Sequence, residues 1–265
     1  DAATATAAGA GAPPPPPLPP PPKAAPVKLV AAAESLAAAA AVAVDGEEGG
    51  GVIDVTYLIP LLGSLSADRV KALMPKLVAQ PLDVFRVALD RLTAFNPPQP
   101  LSAAEILIAL HDVDPARDGV PLKRIIEACG ECFERPAAFP ANSLAAALQK
   151  MVEYTPLPLL FMRTVIQAET AAPTLREFTL GLLRTLARRQ VWKMDPKIWE
   201  GFMRCAKRAT PRSFPVLCEM PPQPLREMLN KFPALREPLR AYAAAPSVAP
   251  GIPRAIATLL AGDAA

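Results

Sequence analysis

Proline sets the strictest limit on how this chain can fold. It has 34 prolines, and 24 of them follow residue 51. A proline fits the first turn of a helix but removes a donor and clashes in helix interiors and central strands. After residue 51 the prolines separate short runs whose apolar residues recur with helical period, and no period-2 alternation competes. Ser66 precedes ADRVKALMPKLVAQ, and Pro81 opens LDVFRVALDRLTAF. Ser102-Ala-Ala-Glu105 has the form of a capping box ahead of ILIALH. Pro121 opens LKRIIEACGECFE, Asn142 or Ser143 caps LAAALQKMVEY, and Pro156 opens LPLLFMRTVIQAE. Pro173, Pro196, Pro222 and Pro233 open the later runs. The expectation is an all-α fold over residues 52–262, in which short antiparallel helix pairs stack as an irregular, HEAT-like α-solenoid. Residues 263–265 form a tail, and no strict sequence repeat is visible.

Residues 1–51 differ in kind. PPPPPLPPPP at 13–22 reads as polyproline II, either a spacer or a ligand for a proline-recognising groove. LVAAAESLAAAAAVAV at 29–44 is apolar, but it is short and Glu34 interrupts it, so it falls short of a membrane span. Its alanines favour a transient helix. The whole segment is expected to be a disordered linker, because proline, alanine and glycine bury too little apolar surface to offset ordering entropy. The chain opens without methionine and is read as a piece of something longer.

Few constellations suggest chemistry. The single histidine, His111, ends ILIALH, where an imidazole can bond terminal carbonyls. DVDPARDG at 112–119 resembles a calcium loop, yet it has Ala116 at a ligand position, Arg117 in place of glycine and Lys123 in place of the bidentate glutamate. Cys129 and Cys132 have zinc-type spacing, but Cys205 and Cys218 form no second pair of that kind. There is no glycine-rich phosphate loop. A non-enzymatic protein without metal or other cofactor is expected.

The stretch RRQVWKMDPKIWEGFMRC, 188–205, mixes two tryptophans with cations and raises the question of a nucleic-acid platform. At about 100° per residue, Ile198, Trp199, Phe202, Met203, Cys205 and Ala206 share one arc. Lys197, Glu200, Arg204, Lys207 and Arg208 share the other. A stacking platform needs rings exposed beside charge, so the rings read as core and the cations as surface. From Arg176 to Arg212 there are ten basic and three acidic residues, a net +7, whereas residues 52–175 carry a net −2. That asymmetry fits a solvated face, an acidic protein partner or nucleic-acid phosphates. Arg184 and Arg188 on one helix, and Arg204, Lys207 and Arg208 on the next, are expected to merge into one stripe. In PLPLLFMRTVIQ, Arg163 and Gln167 sit one turn apart among apolar residues. A charge there calls for Glu153, Glu127 or a second protein as partner.

The segments TPLPLLFMRTVIQAET, RRQVWKMDPKIWEGFMRCAKRATPRSFPVLCEMPPQPLREML and FPALREPLRAY closely resemble the symplekin C-terminal domain. The likeness runs from about Leu58 to about Leu260 and is densest between Pro156 and Tyr242. It implies a nuclear helical scaffold of pre-mRNA 3′-end cleavage and polyadenylation. It also implies, as partners, the cleavage and polyadenylation specificity factor subunits: the metallo-β-lactamase-type endonuclease and its inactive paralogue. Those partners would carry the zinc and cut RNA. The family offers no catalytic residues, so Arg184, Arg188, Arg204, Lys207, Arg208, Arg163 and Gln167 are partner-binding candidates on the helix arithmetic alone. Direct RNA contact through the basic face is the alternative.

Overall fold

The computed structural model describes residues 25–43, 55–94 and 99–262, and the described residues include no strand. Among the described residues fourteen α-helices follow in order: α1 (Val27–Ala43), α2 (Ala67–Ala79), α3 (Leu82–Thr93), α4 (Ala103–His111), α5 (Pro115–Asp118), α6 (Leu122–Phe133) and α7 (Ala141–Met151). They continue as α8 (Phe161–Ala171), α9 (Arg176–Arg188), α10 (Pro196–Arg208), α11 (Phe214–Cys218), α12 (Pro222–Lys231), α13 (Arg236–Ala244) and α14 (Arg254–Ala261). A 3₁₀ segment, Val55–Ser64, precedes α2.

The joints are built from the expected residues. Ser66 caps α2 by accepting from the Arg69 amide, and the Ser102–Glu105 capping box is closed in both directions. Pro81 and Pro121 hold the positions just before α3 and α6, and Pro196 and Pro222 open α10 and α12. Two expected starts move. α7 begins at Ala141 behind Pro140, so Asn142 and Ser143 lie inside its first turn and do not cap it. α8 begins at Phe161, not after Pro156, because Pro158 biases Leu157 away from helical backbone. Pro75 lies inside α2, against the rule that prolines mark joints. Val70, Leu73 and Met74 before it and Leu77 and Val78 after it are all buried on one stripe, so packing carries the helix past the lost hydrogen bond.

The helices stack in rows. α2, α4, α6, α8 and α10 each pack on the next, while α9, α11 and α13 form a second row. α7 covers α4 and α8, α3 packs on α6, and α14 closes against α12 and α13. This is the expected all-α, solenoid-like stack. One continuous apolar core runs from Val55 to Leu260. The central position expected for α8 follows from its contacts with α6, α7, α9 and α10.

The linker expected over residues 1–51 lies for the most part outside the described residues, including the polyproline run. Where it is described, Val27–Ala43 is helical and packs on the 3₁₀ segment. The Ala25 amide donates to Ser64 Oγ at 2.9 Å, and Arg69 pairs with Glu34 at 3.0 Å.

One buried charge has a full set of partners. Glu131, in α6, is 8% exposed and accepts from Arg86 of α3 at 2.8 Å and from Arg135 at 2.7 Å. Arg135 also reaches Asp90 of α3 at 2.8 Å. The Arg86 hydrogen bond holds the Glu131 carboxyl below its ordinary range against the opposing effect of burial. Glu131→Ala is expected to cost about 1–3 kcal/mol, the usual cost of leaving a buried group without its partner. Chemical denaturation of the variant beside Glu134→Ala, an exposed control, measures the difference.

Candidate functional site

The faces of α10 separate as the helical period requires. Ile198, Trp199, Phe202, Met203, Cys205 and Ala206 are all buried. Lys197, Arg204, Lys207 and Arg208 are exposed, and Glu200 is half-buried between them. The Trp199 and Phe202 rings stack at 5.4 Å, and the indole N–H donates to Glu227 at 2.9 Å. Both rings are therefore core and not available to stack on bases. Trp192, in the turn before α10, also packs against the core.

The cations are not equivalent. Arg204 and Lys231 share Glu200 at 2.7 and 3.1 Å, and these neighbours draw the Glu200 carboxyl below its ordinary range. Lys207 stands 4.7 Å above the Phe232 ring. Arg208 donates to Thr170 Oγ1 at 2.9 Å. On α9, Arg184 reaches Glu219 at 3.5 Å, and Arg188 is exposed with no ion pair among the described residues. The merged stripe is thus revised. α9 and α10 both lie on α8, and their cations turn toward different neighbours: Arg184 toward Glu219 after α11, Arg204 toward Glu200 of its own helix, Lys207 toward Phe232 after α12, and Arg208 toward Thr170 at the end of α8. A short connection made the two helices consecutive, but their apolar faces decided what each packs on.

The pair on α8 separates too. Arg163 is exposed, so its charge needs no buried partner, and Glu127 is engaged by Lys123 and Arg124 instead. Gln167 is half-buried with its Oε1 enclosed and without a hydrogen bond among the described residues. Arg189, which the helix arithmetic did not single out, has a structural task. Its guanidinium donates to the carbonyls of Val152 and Tyr154 and to Thr155 Oγ1, tying the loop before α8 to the end of α9. Nothing in the local sequence marks it, because its partners are 34 to 37 residues away.

The groups that could attack or ligate serve the core. His111 is buried; Nδ1 lies 2.7 Å from the Leu107 carbonyl and Nε2 lies 2.7 Å from Thr164 Oγ1. The carbonyl can only accept, so Nδ1 carries the proton and Nε2 accepts from the threonine hydroxyl. Burial lowers its pKa to about 4. Burial raises the thiols of Cys129 and Cys205 to about 12, Cys218 to about 11 and Cys132 well above its ordinary value, so each stays protonated and non-nucleophilic at neutral pH. Among the described residues no three His, Cys, Asp or Glu side chains group as metal ligands. In the calcium-like loop, Asp114 caps α5 and Arg117 fills the turn by donating to Asp118 and to the Asp112 carbonyl. No described helix is long and apolar enough to cross a membrane.

Two concavities open on this framework. A groove of about 720 Å³ runs between the 112–117 turn, the 154–160 loop and the start of α10, with Asp112, Asp114 and Asp195 among its lining. A smaller one, about 360 Å³, lies where α8 and α10 end and α9 begins. The sequence profile described as "Symplekin tight junction protein C terminal" matches residues 54–232, two thirds of the chain. The chain belongs to the symplekin C-terminal family. No solved structure matches it. Both cationic rows and both concavities fall inside the symplekin match, whereas α13 and α14 lie beyond it and still pack on α11 and α12. The likeness read from the sequence reached further, to about Leu260.

Proposed function

We propose that this chain is a nuclear, non-enzymatic scaffold of pre-mRNA 3′-end processing. Its helix surfaces dock the metallo-β-lactamase-type cleavage endonuclease and that enzyme's inactive paralogue. Membership of the symplekin C-terminal family carries the reading, because that is a family of scaffolds. The geometry supports it. The titratable core groups are spent on packing, and the exposed chemistry is a set of cations on rigid helices. Arg188, exposed and without an ion pair among the described residues, can meet an acidic partner surface with little reorganisation, which favours fast, oriented association.

The test replaces Arg184, Arg188, Arg204, Lys207 and Arg208 with Glu. Helicity and melting temperature are checked first, and capture of the purified endonuclease pair is then measured. Capture should fall sharply with the fold intact. Undiminished capture would move docking to the uncharged faces. The net +7 of residues 176–212 favours direct RNA contact as a second reading. Under it, binding of a single-stranded RNA should fall linearly with log[salt] at a slope of roughly −0.7 per phosphate neutralised, and the same replacements should abolish it.

A further inference from the structure

The smaller concavity gathers cations from two helix ends and the turn between α10 and α11. Arg176 is the first residue of α9, Arg208 lies in the last turn of α10, and Arg212 follows in the turn after it. Thr170 at the end of α8 and Thr210 add hydroxyls to the lining, and Leu180, Pro173 and Pro211 give it an apolar wall. Two carboxylates are near. Glu169 is in the lining, and Glu177 lies 3.4 Å from Arg212, with both of those side chains more than half exposed. Arg176 is exposed and makes no ion pair with a described residue. A cation at the start of a helix faces the positive end of the dipole, so its own helix gives it no stabilising contact. Three guanidiniums against two carboxylates leave one positive charge over, and both carboxylates can be displaced or ignored by a stronger anion.

We propose that Arg176, Arg208 and Arg212 form a site for a phosphorylated serine or threonine side chain of a partner polypeptide. A phosphomonoester carries nearly two negative charges and three acceptor oxygens, which several guanidinium forks can share. A carboxylate has two oxygens and is satisfied by one fork, which leaves the other arginines without purpose. The volume of about 360 Å³ is near the small end of ligand sites, and it suits a phosphoryl group on a short stem. Among the described residues no aromatic ring lines the concavity, so a nucleic-acid strand would find phosphate contacts there but no stacking surface. The Thr170 hydroxyl, which donates to the Ile166 carbonyl, already accepts from Arg208 and so holds that guanidinium at the rim. This site goes beyond the scaffold reading and does not depend on it. Arg176 and Arg212 lie outside the set replaced in the docking test.

The experiment uses the whole chain with ¹⁵N-labelled arginine and follows the side-chain Nε–Hε signals. The probes are a blocked pentapeptide with a central phosphoserine, the same peptide with Ser or Asp at that place, and a single-stranded RNA octamer. The phosphopeptide should shift the signals of all three arginines saturably. The Asp peptide should bind about tenfold more weakly or worse, a difference of about 1.4 kcal/mol, and the Ser peptide should leave the signals in place. Arg176→Gln with Arg212→Gln should abolish the response without changing the melting temperature. If that double variant is unstable, Arg176→Gln alone should weaken binding by a similar factor. Equal response to the Asp peptide, no shift at these arginines, or tighter binding of the RNA than of the phosphopeptide would each overturn the proposal.

Discussion

Trp199→Ala is expected to destabilise the domain by about 3–5 kcal/mol, the range for deleting a large buried aromatic side chain. That is a large share of a domain stability of roughly 5–15 kcal/mol. The cost should fall high in the range because the surroundings cannot collapse into the cavity. α10 sits so close to α8 that a Cβ added at Gly201 would lie 2.5 Å from Met162 Cβ, so the backbones already pack at their limit. Phe202, stacked on the indole, is itself fully buried and fixed. Glu227 would lose its indole donor but is exposed and can turn to water. Reversing Arg204 and Lys207 to Glu should behave differently. Surface changes usually stay within about 0.5 kcal/mol, with about 0.5–1 kcal/mol more for the cation over Phe232. Urea unfolding followed by far-ultraviolet circular dichroism measures both. A folded Trp199→Ala protein beside an unfolded charge-reversal protein would mean that the two faces of α10 are assigned backwards.

Helix faces were legible in the sequence because burial is periodic. All six residues placed on the inner arc of α10 are buried, and the four cations assigned to the outer arc are exposed. Helix starts were legible where a polar side chain makes the cap, as at Ser66 and Ser102, since the capping atom and the amide it accepts from are three residues apart. They were misread where prolines crowd. Pro156 looked like a helix opener, but Pro158 disfavours helical backbone at Leu157, and α8 waits until Phe161.

Long-range pairing was not legible. The contacts of Glu131 with Arg86 cross 45 residues, and those of Arg189 with the 152–155 loop cross 34 to 37, so no window on the sequence holds both partners. Arg163 failed for a related reason. Its apolar neighbours suggested a greasy surround, yet helical spacing points it away from Met162 and Val165, which are buried while it is exposed. The basic balance of residues 176–212 was plain from counting. Its division between α9 and α10, and the convergence of Arg176, Arg208 and Arg212 at one concavity, depend on which helices lie side by side.

His111 should make the domain lose stability on mild acidification. The imidazole links α4 to α8 through Thr164 and is enclosed, so burial lowers its pKa from 6.5 to about 4, with the Leu107 carbonyl opposing that shift. The sign follows from proton counting. Between about pH 6.5 and 4 the unfolded chain binds a proton at this histidine and the folded chain does not, so unfolding takes up a proton and stability falls as pH falls. Above the unfolded pKa neither state is charged and the histidine adds no slope. Below about 4 both states are charged and the slope ends. One pKa unit corresponds to 1.36 kcal/mol, so the loss across the window is about 3 kcal/mol. Asp112, beside it at the end of α4, is pushed upward by burial. The measurement is therefore a difference: urea unfolding from pH 7.5 to 4 for the parent and for His111→Phe, which fills similar space and cannot titrate. The variant starts less stable at pH 7.5, because Thr164 loses its acceptor. It should then lose about 3 kcal/mol less than the parent on acidification. Parallel curves, or an imidazole ring signal titrating near 6.5 in the folded protein, would show that the ring is charged without cost and that the α4–α8 contact does not enclose it.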